Sequence, residues 1–220
     1  MQTIIIGAGG HGRVALDILQ AEGQYKPVGF LDADQSLWGR RVAGLPVLGP
    51  VNLLPKVRQQ RIGFGIVAIG DNRVRRQYAA LLREHDFTLI NAVHPRAGIS
   101  AAASVGLNVL VAAGAMICTD CRIADSVIIN TGAIVDHECE IDESAHICTG
   151  ARLAGRVRVG RGAFVGIGAS VIQCLSIGEE AIIGAGAVVI RDIPAHATAV
   201  GVPASIIKTA APSEHRLAGA

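Results

Sequence analysis

From Ile99 to Val189, every sixth residue is Ile, Val or Leu without one slip. A helix repeats its faces at about 3.6 residues and an ordinary strand alternates at two, so neither keeps this phase over such a stretch. Four places after each of these residues up to Ile183 comes a second short side chain, from Ala103 and Val109 to Ala181 and Ala187, with only Leu175 larger than valine. Two inward-facing sites per six residues describe a hexapeptide β-solenoid with a narrow interior. Half the chain is apolar but only 3% is aromatic, which suits an interior filled with Ile, Val and Ala.

This pattern resembles the left-handed parallel β-helix of the hexapeptide acyltransferases, in which three hexads close one triangular coil. About five coils are expected between residues 99 and 193, about 24 Å of stacked strands at the usual spacing. The phase also decides a competing reading. Residues 97–119 carry no charge and have the hydropathy of a membrane span. The hexads run straight through them, with Ser100, Ser104 and Asn108 at outward places, so buried coils are expected and no membrane association.

The net charge of +2 is scattered, without the basic block that tracks a phosphate backbone, which argues against nucleic acid as a partner. The N-terminus has no cationic leader or small-residue cleavage site, and a cytoplasmic protein is expected. Five cysteines are present; Cys121 and Cys139 fall in small interior slots, where a thiol packs as a small hydrophobe. Cys118-x-x-Cys121 has no second pair and no flanking histidine to complete a zinc site, so no metal is expected.

Residues 1–90 follow a different rule. Strands are expected at residues 3–6, 28–31, 63–69 and 88–90, with helices at about 12–20 and 73–84. That alternation implies a small Rossmann-like parallel α/β sheet. Between the first strand and helix stands Gly7-Ala8-Gly9-Gly10-His11-Gly12, with Asp32 twenty residues after Gly12. Alone it reads as a dinucleotide fingerprint, since glycines let the backbone approach a pyrophosphate at a helix N-terminus. The organisation is then an α/β domain at 1–90, a β-helix at 91–208 and a tail from 209.

His137 stands two places after the interior Val135, near a corner and facing out, with His146 half a coil further on, toward the opposite side of the prism. The two histidines meet in one site only if a neighbouring copy supplies one, as in a homotrimer of three-sided prisms with clefts between them. From spacing alone, His137 is equally well a surface histidine between Asp136 and Glu138. The run from Asn130 through His137-Glu138-Cys139 to His146, then residues 150–155 and 200–204, is similar to the bacterial acetyltransferases that modify nucleotide-linked amino sugars and sialic acids. The similarity covers nearly the whole chain, the Gly-rich domain included.

The resemblance implies His137 as general base, with Glu138 holding its ring and raising its basicity. It implies His146, Gly155, Ile167 and Ala185 along acetyl-CoA, the cosubstrate, with the Gly155 main-chain N–H facing the developing oxyanion. Gly9, Gly10 and His11 would lie at the substrate diphosphate, Asp32 and Gly70 by the nucleoside, and Asn130 in the substrate set. The family often has two consecutive acids where this chain has Asp32-Ala33-Asp34. The chemistry is coherent, because acetyl transfer needs an unprotonated amine and an imidazole titrating near neutrality can take its proton. The expected activity is N-acetylation of a nucleotide-linked 4-amino-4,6-dideoxy sugar for surface glycans. O-acetylation of a sialic acid-like sugar is the close alternative. A trimeric β-helix carbonic anhydrase would need three converging histidines, and only His137 and His146 lie on the coils. A nucleotide-sensing module on a purely structural solenoid is the remaining alternative.

Overall fold

A computed structural model describes residues 1–209. Residues 1–90 form a sheet in the order β3-β4-β2-β1-β5-β6. Its elements are β1 (Gln2–Ile6), α1 (Gly10–Glu22), β2 (Lys26–Leu31), β3 (Arg41–Val42), β4 (Leu45–Gly49), α2 (Leu54–Gln59), β5 (Phe64–Val67), α3 (Asn72–Glu84) and β6 (Thr88–Leu89). All pairings are parallel except the β3–β4 hairpin. That hairpin and α2 go beyond the expected elements, although Ala43-Gly44 at φ 47° and 81° carries the hairpin's turn. β1 lies between β2 and β5, so the chain leaves it in opposite directions and a crevice opens at its C-terminal end.

The remainder is a left-handed parallel β-helix of two-residue strands in three ladders. Stacked partners are eighteen residues apart, as in Val111↔Ile129, Ile117↔Val135 and Ile123↔Ile141. Both expected inward columns fill the interior, with Val135, Ile147, Val165, Ala133 and Ala169 wholly buried. The first solenoid strand is Ala92–Val93, one hexad before the expected start of the coils. Val93 is in phase with Ile99, so the repeat extends back into the segment that joins the two domains. At the far end Ile193, Ala197 and Ala199 are buried against the interior column, while the strand Ser205–Thr209 lies exposed along the sheet edge. The rest of the expected tail, residues 210–220, lies outside the described residues.

The three faces differ outside. The docked face presents Ala92, Leu110 and Ile128 to α1, forming one apolar cluster with Ala15, Leu16 and Leu19. The charged face presents Arg122, Glu140 and Arg158 in register. The open face presents Met116, Ile134, Arg152, Ser170 and Val188, with Met116 and Ile134 substantially exposed.

Each corner turns on one left-handed residue. Every sixth residue from Asn108 to Gly186 has φ between 53° and 70°. Between the docked and open faces all of them are glycine, at 114, 132, 150, 168 and 186. Apart from Gly162, the other two corners carry Asn, Asp, Ser, Glu, Arg and Cys in that conformation, at about 1 kcal/mol or more each.

Candidate active site

The Gly-rich turn is built as its spacing predicts. Gly7 has φ 100°, and a Cβ on Gly12 would strike the Gly7 carbonyl, so both are required by the close fit of α1 to β1. A Cβ on Gly9 or Gly10 would meet nothing within 4 Å, so this part of the turn is open to a ligand. The N-terminus of α1 has no side-chain cap and no acidic residue in its first turn, so its N–H groups and the helix dipole face the crevice. Asp32 is already engaged: Oδ2 accepts the Ala8 N–H at 2.6 Å and Oδ1 accepts the Asp34 N–H at 2.8 Å. Asp32 thereby shapes the turn, and Asp34 caps the next turn by accepting the Ser36 N–H at 2.8 Å.

His11 meets His146 across the junction of the two domains, with ring centroids 6.2 Å apart. His146 starts a strand of the docked face and is 7% exposed, its ring edge-on to Phe164 at 5.2 Å. The hexad phase marks its place as outward, where solvent is expected. The α/β domain covers that face, a contact no local pattern reveals. Burial pulls the His146 pKa down to about 3, aided by the Arg75 cation and by His11. Burial and Arg75 likewise hold His11 at about 4. Both rings are neutral at pH 7. Asn130 Oδ1 accepts the Thr131 N–H at 2.8 Å, which turns its amide NH₂ toward His146 Nε2 at 3.2 Å. His146 Nε2 is therefore an acceptor and its proton sits on Nδ1. His146 Nδ1 and His11 Nε2 are buried and make no hydrogen bond within the described residues.

The Gly70 turn after β5 completes this half. It borders a cavity of about 540 Å³ between the α3 N-terminus and the docked face, floored by Phe164 and Ile182 and rimmed by Arg73, His196 and Lys208.

His137 lies elsewhere, in the corner between the open and charged faces. Its Nδ1 is 2.9 Å from Glu138 Oε2. A carboxylate only accepts, so Nδ1 donates, and in the neutral ring Nε2 is the nitrogen that carries the lone pair. Glu138, in the left-handed conformation at φ 57°, is turned back toward the ring and borders a second cavity of about 540 Å³ with Arg122, Arg156 and Arg158. Gly155 stacks one coil away in the same corner, where a Cβ would collide with the His137 ring. Its N–H makes no hydrogen bond within the described residues, whereas its carbonyl accepts from Cys174. Ile167 and Ala185 occupy the opposite edge of the open face, in the all-glycine corner, as does Asn130. Ile167 is 62% exposed.

The expected residues thus form two groups on one protomer. His137, Glu138 and Gly155 sit at one edge of the open face. Asn130, Ile167 and Ala185 sit at its other edge, beside His146 on the docked face and the α/β domain above it, which carries His11, Gly9, Gly10, Asp32 and Gly70. The sequence reading missed the glycine corner, legible as a period of eighteen, and missed Asn72 and Arg75; Asn108, expected to face outward, is instead buried where β5 meets the solenoid. Among the described residues no three His, Cys, Asp or Glu side chains converge on a metal site.

A family profile described as PglD N-terminal domain matches residues 2–82. PerB from Caulobacter crescentus, solved with CoA and GDP-perosamine, is 43% identical, with 94% of this chain and 98% of that one covered and a TM-score of 0.90. The acetyltransferase domain of PglB from Neisseria gonorrhoeae is 36% identical, with 94% and 99% covered and a TM-score of 0.88, and is also known with acetyl coenzyme A. WeeI from Acinetobacter baumannii, 24% identical over 94% of this chain and all of that one with a TM-score of 0.84, shares the fold. Comparison with curated protein sequences produced no match.

Proposed function

Because the chain belongs to the hexapeptide-repeat nucleotide-sugar N-acetyltransferases, we propose that it moves the acetyl group of acetyl-CoA onto the amine of a nucleotide-linked 4-amino-4,6-dideoxy sugar, with His137 as general base. The observation that carries this reading is the His137–Glu138 pair poised over Gly155, with Nε2 free and an unused main-chain N–H beside it.

The steps follow from that geometry. The amine attacks the thioester carbonyl while His137 Nε2 takes its proton, and Glu138 stabilises the imidazolium through Nδ1. Negative charge grows on the carbonyl oxygen, where the Gly155 N–H can donate. Collapse expels the CoA thiolate, which recovers the proton from His137. No charge is left in the site. The sugar nucleotide is held by the α1 N-terminus with Gly9, Gly10 and His11 at the diphosphate, and Asp32 and the Gly70 turn by the nucleoside.

The site is completed between protomers. The docked face is covered, the charged face suits water, and the open face leaves Met116 and Ile134 exposed. Packing open faces about a threefold axis brings the His137 corner of one copy to the glycine corner of the next. The acetyl-CoA arm then runs between them, along Gly155 on one side and His146 and the main chain of Ile167 and Ala185 on the other. Glycines at five successive turns leave that corner without side chains to obstruct it. A cytoplasmic location fits five free cysteines, which point to a reducing compartment, and a role in surface glycan synthesis fits the acceptor.

The test is thiol release from acetyl-CoA with GDP- and UDP-linked 4-amino sugars and with free sialic acid, against His137→Ala. Release with one amino sugar that collapses in the variant supports the reading. Release with sialic acid alone selects O-acetylation, and full activity in His137→Ala removes His137 as base.

A further inference from the structure

The α/β domain grips one corner of the solenoid coil by coil. Asn108, Ser126, Ser144, Gly162 and Glu180 are eighteen residues apart, and all are left-handed, with φ from 53° to 65°. Each meets a group from β5 or α3. The Val67 N–H donates to Asn108 Oδ1 at 2.7 Å, and Asn72 Nδ2 donates to the Gly162 carbonyl at 2.9 Å. Arg73 Nε donates to Glu180 Oε2 at 3.0 Å. Between them Arg75 takes two coils at once, with Nε to the Ser126 carbonyl at 2.7 Å and Nη2 to the Ser144 carbonyl at 2.8 Å.

Arg75 is fully buried, and among the described residues no carboxylate pairs with it. Its remaining donors reach back to its own domain. Nη1 bonds the carbonyls of Ile69 at 2.9 Å and Gly70 at 3.2 Å, and Nη2 also bonds Asn72 Oδ1 at 2.7 Å. All five guanidinium N–H groups are therefore matched, three to the Gly70 turn and two to the solenoid. Burial lowers its pKa to about 9, which leaves it charged at neutral pH.

The solenoid backbone repeats every coil, about 4.8 Å along the axis, so apolar contact alone fixes the height of a docked domain only loosely. A rigid fork bonded to two consecutive coils and to the Gly70 turn permits one seat. We propose that Arg75 is the positioning residue for the acetyl acceptor, fixing the Gly70 turn and the Gly-rich crevice at the height of the coil that carries His146. This rests on reading the crevice and the Gly70 turn as the acceptor site. Arg75 touches no reacting atom in this account.

The test is calorimetric titration of GDP, UDP and acetyl-CoA into wild type, Arg75→Lys and Asn72→Ser, each in its native oligomeric state with its thermal unfolding recorded. Lysine keeps the charge but has three donors for five acceptors. Arg75→Lys is expected to weaken the nucleoside diphosphate about tenfold or more, leave acetyl-CoA within about twofold, and keep a cooperative melt. Asn72→Ser, which removes the bond to Gly162 and one to Arg75, is expected to move the same way by a smaller factor. It decides the question if the lysine variant does not fold. Unchanged nucleotide affinity in a folded variant overturns the proposal, as does a parallel loss of both ligands that follows the folded fraction. If wild type binds neither GDP nor UDP, the acceptor-site reading falls and the proposal with it. Binding in wild type with no loss in the variants overturns the role of Arg75 alone.

Discussion

Replacing Gly155 by alanine adds one methyl group and tests whether the position of the His137 ring limits the reaction. Gly155 is not left-handed, so its backbone accepts alanine, and the unfolded chain loses freedom worth about 0.4–1 kcal/mol in favour of folding. The new Cβ falls 3.0 Å from His137 Cδ2 and closer still to Cε1 and Nε2. Carbon contacts settle at about 3.5–4.0 Å, so the imidazole has to swing by about 1 Å. That swing strains the 2.9 Å bond to Glu138 and, on the proposed mechanism, carries Nε2 away from the acceptor amine. A displacement of about 1 Å in a reacting group costs about 100-fold in rate. Steady-state kinetics with the nucleotide amino sugar should therefore show kcat reduced about 100-fold, both KM values within about threefold, and the melting temperature unchanged or raised. The Gly155 N–H survives in the variant, so the loss reports on the ring and not on an absent oxyanion donor. A kcat within threefold of wild type would refute the claim that the ring's seat over Gly155 matters.

Acid should destabilise the fold through His11 and His146. Both have folded-state pKa values well below 6.5, at about 4 and about 3, so as pH falls below 6.5 the unfolded chain takes up protons that the folded one refuses. Stability is then full above about pH 6.5 and is lost on acidification down to the folded values, by about 2 kcal/mol per histidine at pH 5. Urea unfolding from pH 7.5 to 4.5 should show this fall, smaller in His146→Gln; equal acid sensitivity in the variant would remove His146 from the account. Ile134→Arg on the open face should give monomers by sedimentation that still bind GDP or UDP but transfer no acetyl group, and active monomers would end the shared-site reading. Asp32→Asn cannot accept both the Ala8 and Asp34 N–H groups as the carboxylate does, and should cost about 1–3 kcal/mol of stability and weaken nucleotide binding, both checked by calorimetry.

The hexad phase made the solenoid legible because its interior admits only small aliphatic side chains, and each inward position therefore constrains its own residue. The Gly7-to-Gly12 turn was legible for the same local reason: Gly7 needs its backbone conformation and Gly12 its close fit, whatever surrounds them. Spacing placed His137 near a corner, whereas Gly155, eighteen residues on and one coil away, entered only through the resemblance to a family. The roles proposed for them rest on that resemblance, since a corner histidine beside a glutamate is chemically ordinary.

Other features depend on surfaces meeting across long separations. His146 is outward by phase yet buried, because α1 and the Gly70 turn cover the docked face and lower its pKa. Arg75 reads in sequence as one of several arginines at the start of a helix, and only the fold places two coils' carbonyls around it. Local periodicity specifies which side of the backbone faces inward, and so determines the coils and the corner that holds His137. Which face another domain covers, which face stays open, and which buried cation joins the two domains were decided only by the tertiary structure, because burial by a distant segment leaves no mark on the residues it covers.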